Sequence, residues 1–168
     1  MKIKTEAAAP YAVNKAIPNG DDLIKSALEH IQQVLNSRDL YPNIEHFTNP
    51  DIVKAFLTMR LALEEREHFE VLFLNNQHKL INVIRLFSGT IDGASVPPRE
   101  VVKSALLQNA AAVIFVHNHP SGVCEPSTAD KTLTSTLKQA LGLVDIRVLD
   151  HIIVGGLDTY SFAEHGLI

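Results

Sequence analysis

A single cysteine, Cys124, is all the thiol chemistry this 168-residue chain offers. One cysteine excludes an internal disulfide framework and any multi-cysteine zinc cluster within one chain, so a metal site would have to be built from histidine and carboxylate. Long apolar runs are missing too. No stretch approaches the roughly 20 residues that a membrane-spanning helix needs, and Met1 to Pro10 lacks the apolar segment of a signal peptide. A cytoplasmic protein without membrane contact is expected. Positive charge is also scarce: a formal net charge of -4 leaves no overall field to draw the chain onto phosphate backbones, so DNA binding is not supported by charge. What is present is 46% hydrophobic residues, enough for one core in a chain of this length.

Residues 1–19 hold alanine, proline and asparagine without periodicity and read as a disordered tail. From Asp21 the apolar residues Leu23, Ile24, Ala27, Leu28, Ile31, Val34 and Leu35 recur at helical spacing, which predicts an amphipathic helix to about Asn36 and a helical extension over residues 20–47. Thr48-Asn49-Pro50 combines capping residues with a proline suited to the first helical position, so a second helix should run to near Glu65. Phe69 to Leu74 and Leu80 to Ile84 flank the turn residues Asn75-Asn76-Gln77-His78 and predict a hairpin, with a short further strand over Ser88 to Ile91. Pro97-Pro98 opens a helix with Val101, Val102, Ala105 and Leu106 on its apolar side. Ala111 to Val116 is apolar without alternation, as expected of a strand covered on both faces. Ser127 to Leu141 reads as a helix, Ile146 to Val154 as a strand, and Gly155-Gly156 as a turn toward Thr159 to Phe162. This order gives an α/β sandwich around one mixed sheet, with the main domain over residues 48–168.

The buried strand ends directly in His117-Asn118-His119-Pro120. In extended backbone, residues two apart project to the same side, so both imidazoles can grip one ion. A catalytic zinc takes three protein ligands and keeps a fourth position for water, and Asp130, in the first turn of the next helix, supplies the third. Ser127-Thr128-Ala129-Asp130 also has the form of a capping box, so Asp130 reads as a cap or as a ligand. Cys124 lies in the same loop, but a fourth protein ligand would displace the water. His151, beside Asp150 in a strand, reads as a hydrogen-bonded structural histidine, and His78 as a solvated turn residue.

His117-X-His119-Pro120 followed by Ser127-X-X-Asp130 resembles the JAMM signature of JAB1/MPN metalloproteases. The wider text resembles the RadC family: Phe87-Ser88-Gly89-Thr90-Ile91-Asp92, Pro98-Arg99-Glu100-Val101-Val102, His117-Asn118-His119-Pro120-Ser121-Gly122 and Asp150-His151-Ile152-Ile153-Val154-Gly155-Gly156. The resemblance runs from about Asp51 to Ile168 and implies a JAB1/MPN-like, cytidine-deaminase-like sandwich. It further implies one zinc per chain on His117, His119 and Asp130, and an upstream glutamate acting on the attacking water. Glu64, Glu65, Glu67 and Glu70 are the candidates; the resemblance places Glu67 there, with Glu70 next in line because a carboxylate inside an apolar strand also needs a reason. Ser127 would donate to the developing oxyanion. Asn118 departs from the serine or threonine usual between the histidines of many JAMM proteases and matches the RadC branch.

The implied function is zinc-dependent peptide or isopeptide hydrolysis acting on a protein or peptide substrate. The alternative is a non-catalytic RadC-like module, in DNA repair or in a mobile-element or toxin-antitoxin setting, working through protein or DNA contacts. The complete set of Glu67, His117, His119, Ser127 and Asp130 favours hydrolysis. The chain contains no recognisable helix-hairpin-helix text for duplex binding. The His-X-Glu and Pro-Cys-X-X-Cys text of the zinc nucleobase deaminases is absent, which rejects that class. Self-association into a homo-oligomer stays open.

Overall fold

The computed structural model describes residues 24–26, 49–89 and 96–168. Residues 24–26 are helical, within the span expected for the first helix; the remainder of that helix, the expected tail over 1–19 and Ile91 lie outside the described residues. Helix α1 (Pro50–Leu61) is capped by Asn49, whose side chain accepts from the Asp51 amide at 2.9 Å. It stops at Leu61 rather than near Glu65. Leu61 is the last helical residue buried against the sheet, and a Glu64 N–H to Leu61 carbonyl bond then turns the chain into the first strand.

Strands β1 (His68–Leu74) and β2 (Leu80–Ser88) form the hairpin, followed by α2 (Pro98–Leu107), β3 (Ala112–Asn118), α3 (Thr128–Gly142), β4 (Arg147–Gly155) and β5 (Asp158–Ser161). Among the described residues the sheet order is β2-β1-β3-β4-β5, parallel only between β3 and β4, where α3 makes the crossover. The expected short strand at Ser88 is instead the end of one continuous β2, paired with β1 as far as His68. Arg85 breaks the apolar run of β2 without ending the strand, because its guanidinium is bonded across the hairpin to Glu70.

Both central strands, β1 and β3, are buried along their whole length, which is why neither shows apolar/polar alternation. Alternation still decides which face each residue serves. Leu72, Leu74, Ile114, Val116 and Ile152 pack with Val53, Phe56, Leu57 and Leu61 of α1. Phe69, Val71, Phe73, Val113 and Phe115 pack on the other face with Val101 and Ala105 of α2 and Leu137 and Leu141 of α3. Each fully buried leucine or phenylalanine contributes about 1.5–3 kcal/mol. Helices on both faces of one mixed sheet make this an α/β sandwich.

The same alternation settles Glu70, which points to the α1 face. Its carboxylate is fully buried and accepts from Arg60 Nε at 3.1 Å and Arg85 Nε at 3.0 Å, while Arg85 also reaches Glu64 at 2.7 Å. It is a structural anchor for α1 and β2. Glu70→Ala should therefore destabilise the fold by about 2–4 kcal/mol, somewhat below the full cost of breaking a buried pair because water can reach Arg85. Denaturant titration measures this, and a loss below about 0.5 kcal/mol would contradict the anchor.

Candidate metal centre

Strand β3 delivers His117 on the face that meets α2 and α3, and His119 follows on the same side just beyond the strand. Extended pairing persists past the end of β3, since the His119 N–H donates to the Val154 carbonyl at 2.9 Å. In the antiparallel β1–β3 register Phe69 faces His117 and Glu70 faces Val116; continued one pair past each strand end, that register sets Glu67 opposite His119. Helix α3 brings Asp130 from the third direction, on its first turn.

Four side chains converge. The Nε2 atoms of His117 and His119 are 3.0 Å apart. Asp130 Oδ1 lies 3.3 Å from His117 Nε2, and Oδ2 lies 3.8 Å from His119 Nε2. Glu67 Oε1 is 3.9 Å from His119 Nε2. Among the described residues, Glu67, His117 and His119 offer donor atoms that all lie within 4.8 Å of one another. His117 and Asp130 are buried, while His119 and Glu67 form the open side.

The chemistry of these atoms could hold a cation. His119 Nδ1 is 2.7 Å from the Val123 carbonyl, which can only accept, so Nδ1 carries the proton and Nε2 of the neutral ring presents a lone pair. That lone pair faces a second imidazole nitrogen and a carboxylate, an acceptor-rich point that a proton or a metal ion must neutralise. Burial alone would raise the Asp130 carboxyl, but its bond to His117, the positive charge His117 can hold and the hydrogen bonds from Ser127 outweigh this and keep it well below the usual carboxylate range. Asp130 is thus ionised at neutral pH.

The donor spacing suits a tetrahedral ion. Ligand atoms about 2.0–2.1 Å from a tetrahedral zinc stand about 3.3–3.4 Å apart, and the 3.0 Å between the two imidazole nitrogens and the 3.3 Å from His117 Nε2 to Asp130 Oδ1 lie near that value. Glu67 also converges and is the more exposed of the two carboxylates, so either it or Asp130 could complete a set with the two imidazoles.

The capping bonds of Asp130 use only one of its two carboxylate oxygens. The capping box is complete: Ser127 N–H and Oγ–H both donate to Oδ2, at 2.8 and 2.6 Å, and the Asp130 N–H donates to Ser127 Oγ. Oδ1 is the oxygen nearest His117. Asp130→Asn should accordingly keep α3, with a stability loss of about 1 kcal/mol, yet lose zinc; full zinc occupancy in that variant would leave Asp130 a cap alone. Ser127, exposed at the helix start, must release Asp130 before its hydroxyl can donate elsewhere.

Sequence reasoning missed what Asn118 does. Its side chain points away from the two imidazoles, accepts from the His68 N–H at 2.9 Å and donates to the carbonyls of Arg66 at 2.9 Å and Glu64 at 3.2 Å. Those backbone groups flank Glu67, so this amide latches the segment that carries Glu67 onto the end of β3. A hydroxyl has a single proton and could not make both donations. Glu64 is drawn off to Arg85 and His68, and Glu65 is exposed. Gly155 fixes the metal loop from behind: a Cβ there would lie 2.7 Å from both Cys124 N and Gly122 O, so only glycine lets β4 support the turn whose Val123 carbonyl orients His119.

Comparison with known proteins identifies the family. The family model described as RadC-like JAB domain matches residues 47–167. The chain is 53% identical over 151 residues to UPF0758 protein YkfG of Escherichia coli K12, covering 90% of this chain and 92% of that one. It is 50% identical over 151 residues to UPF0758 protein YeeS of the same strain, covering 90% and 99%. A UPF0758 protein of Nitrosococcus oceani is 54% identical over 139 residues, 83% of this chain but only 59% of the relative, so the chain spans about three fifths of some relatives it matches. No helix among the described residues is long and apolar enough to cross a membrane. A mixed sheet flanked by helices, a His-X-His strand end facing a first-turn aspartate, and these matches together make the chain a member of the RadC-like JAB domain family.

Proposed function

We propose that the chain is a zinc-dependent metallohydrolase of JAMM type that cleaves peptide or isopeptide amide bonds, with His117, His119 and Asp130 holding the metal and Glu67 moving the proton. The observation that supports this most is the set of imidazole and carboxylate acceptors gathered at one point within 3.0–3.8 Å of one another, with a second carboxylate on its open side. Zinc held there would lower the pKa of water to about 7 and polarise a carbonyl. Glu67 stands where it can take a proton from an attacking water and return it to the leaving nitrogen, the exchange that expels an amine from a tetrahedral carbon. Ser127, turned from Asp130, would donate to the oxyanion. Buried His117 and Asp130 exclude solvent from the inner side, so substrate must approach past Glu67 and His119.

The test is to incubate zinc-loaded and chelator-treated protein with a peptide library and a panel of ubiquitin-like fusions, and to read cleavage by mass spectrometry. Cleavage that requires zinc is expected. No cleavage across the panel by fully loaded protein would overturn the peptidase reading in favour of a binding role for the same pocket.

A further inference from the structure

Behind His117 lies a chain of buried hydrogen bonds that the proposed ligand set does not use. His117 Nδ1 is 2.7 Å from His151 Nε2, His151 Nδ1 is 2.6 Å from Thr134 Oγ1, and Thr134 Oγ1 is 2.6 Å from the Asp130 carbonyl. His117, His151 and Thr134 are all buried. Direction along this chain follows from its last link. The Asp130 carbonyl can only accept, so the one hydroxyl proton of Thr134 points to it, and Thr134 Oγ1 must accept from His151 Nδ1–H. A neutral His151 with its proton on Nδ1 has a lone pair on Nε2. His117 Nδ1–H then donates to it, so Nε2 is the His117 nitrogen that faces Asp130 and His119: protonated, it donates to Asp130, and deprotonated, it offers its lone pair to a cation.

We propose that His151, set by Thr134, is the positioning residue that fixes the tautomer and ring orientation of the metal ligand His117. The inference rests on the metal reading above. Two features support it. First, the His151 ring is clamped in place: it stacks on Phe162 at 4.7 Å and meets Phe69 and Phe115 edge-on, each at 5.8 Å. Second, Thr134 lies one turn after Asp130 on the same helix. One bonded chain therefore couples the strand that carries His117 to the helix that carries Asp130, so that two ligands from different elements are held in a common frame. Ligating histidines need such a partner on the other ring nitrogen, and its loss lowers metal affinity by about 10 to 100-fold.

The test is competition titration of zinc alone against a chromophoric chelator for wild type, His151→Leu, His151→Gln and Thr134→Val, with thermal melts of the metal-free proteins. His151→Leu should bind zinc about 10 to 100-fold more weakly. His151→Gln, whose amide offers both an acceptor and a donor, should recover most of that affinity, which a loss of packing alone would not allow. Thr134→Val keeps the ring and the side-chain shape, so it decides the matter should His151→Leu fail to fold; it should weaken zinc binding while the protein stays folded. Long-range 1H–15N spectra should show the Nδ1–H form of His117 in wild type and a mixture of tautomers in Thr134→Val. Wild type that binds no zinc would overturn the metal reading and this inference with it. Wild type that binds zinc, alongside folded His151→Leu or Thr134→Val with unchanged affinity, would overturn this inference alone.

Discussion

Replacing His119 with alanine is expected to take bound zinc from one ion per chain to none after dialysis, while the metal-free protein melts close to wild type. The separation of the two effects follows from position. His119 lies beyond the end of β3, half-buried, and its side chain belongs to neither hydrophobic core; its deletion leaves no large void in packed structure. In the proposed site it is one of three ligands, and a site of two ligands would bind far more weakly than one whose supporting partners alone are changed, for which the loss is roughly 10 to 100-fold. Elemental analysis of purified wild type and variant, paired with a chelator competition, measures both numbers. Equal zinc stoichiometry and affinity in the two proteins would remove His119 from the ligand set.

Glu67→Gln carries the second large effect. The amide is nearly isosteric with the carboxylate, so zinc content and melting temperature should hold, while the group that accepts the proton from water is gone. Cleavage of any substrate found for wild type should fall by roughly 100-fold or more. Glu70 supplies the matched control, because it lies on the opposite face of the sheet, locked between Arg60 and Arg85. Glu70→Gln should lose stability rather than chemistry, and be active at temperatures where it is folded. Full activity of Glu67→Gln would mean that another group moves the proton.

Different parts of the molecule were legible in the sequence to different degrees, for physical reasons. A continuous apolar run ending in His117-Asn118-His119 announces a buried strand that opens on a polar site, and local spacing alone puts the two imidazoles on one side. The Ser127 to Asp130 box is likewise local. Harder to read were features made by strands that meet far apart in sequence. Glu70 looked like a rival for Glu67 because its partners, Arg60 and Arg85, reach it from a helix and from across the hairpin. Asn118 read only as a departure at its position, since its three bonds go to backbone groups some 50 residues away. His151 read as a hydrogen-bonded histidine, but that its partner is His117 depends on the parallel β3–β4 register, which aligns Phe115 with His151. The extent of β2 was underestimated for the same reason: Arg85 interrupts the apolar pattern, and cross-strand pairing with Glu70 keeps it in the ladder.

The most direct test of the account is a crystal of the protein soaked in zinc, with anomalous data collected on either side of the zinc edge. One strong peak per chain is expected, with His117 Nε2 and His119 Nε2 each about 2.0–2.1 Å from it and an Asp130 oxygen at about 2.0–2.2 Å, and with Glu67 beside the remaining position rather than bonded to the ion. A peak that includes Glu67 in place of Asp130 would exchange the two carboxylates' roles. No peak at this site under saturating zinc would contradict the metal centre itself.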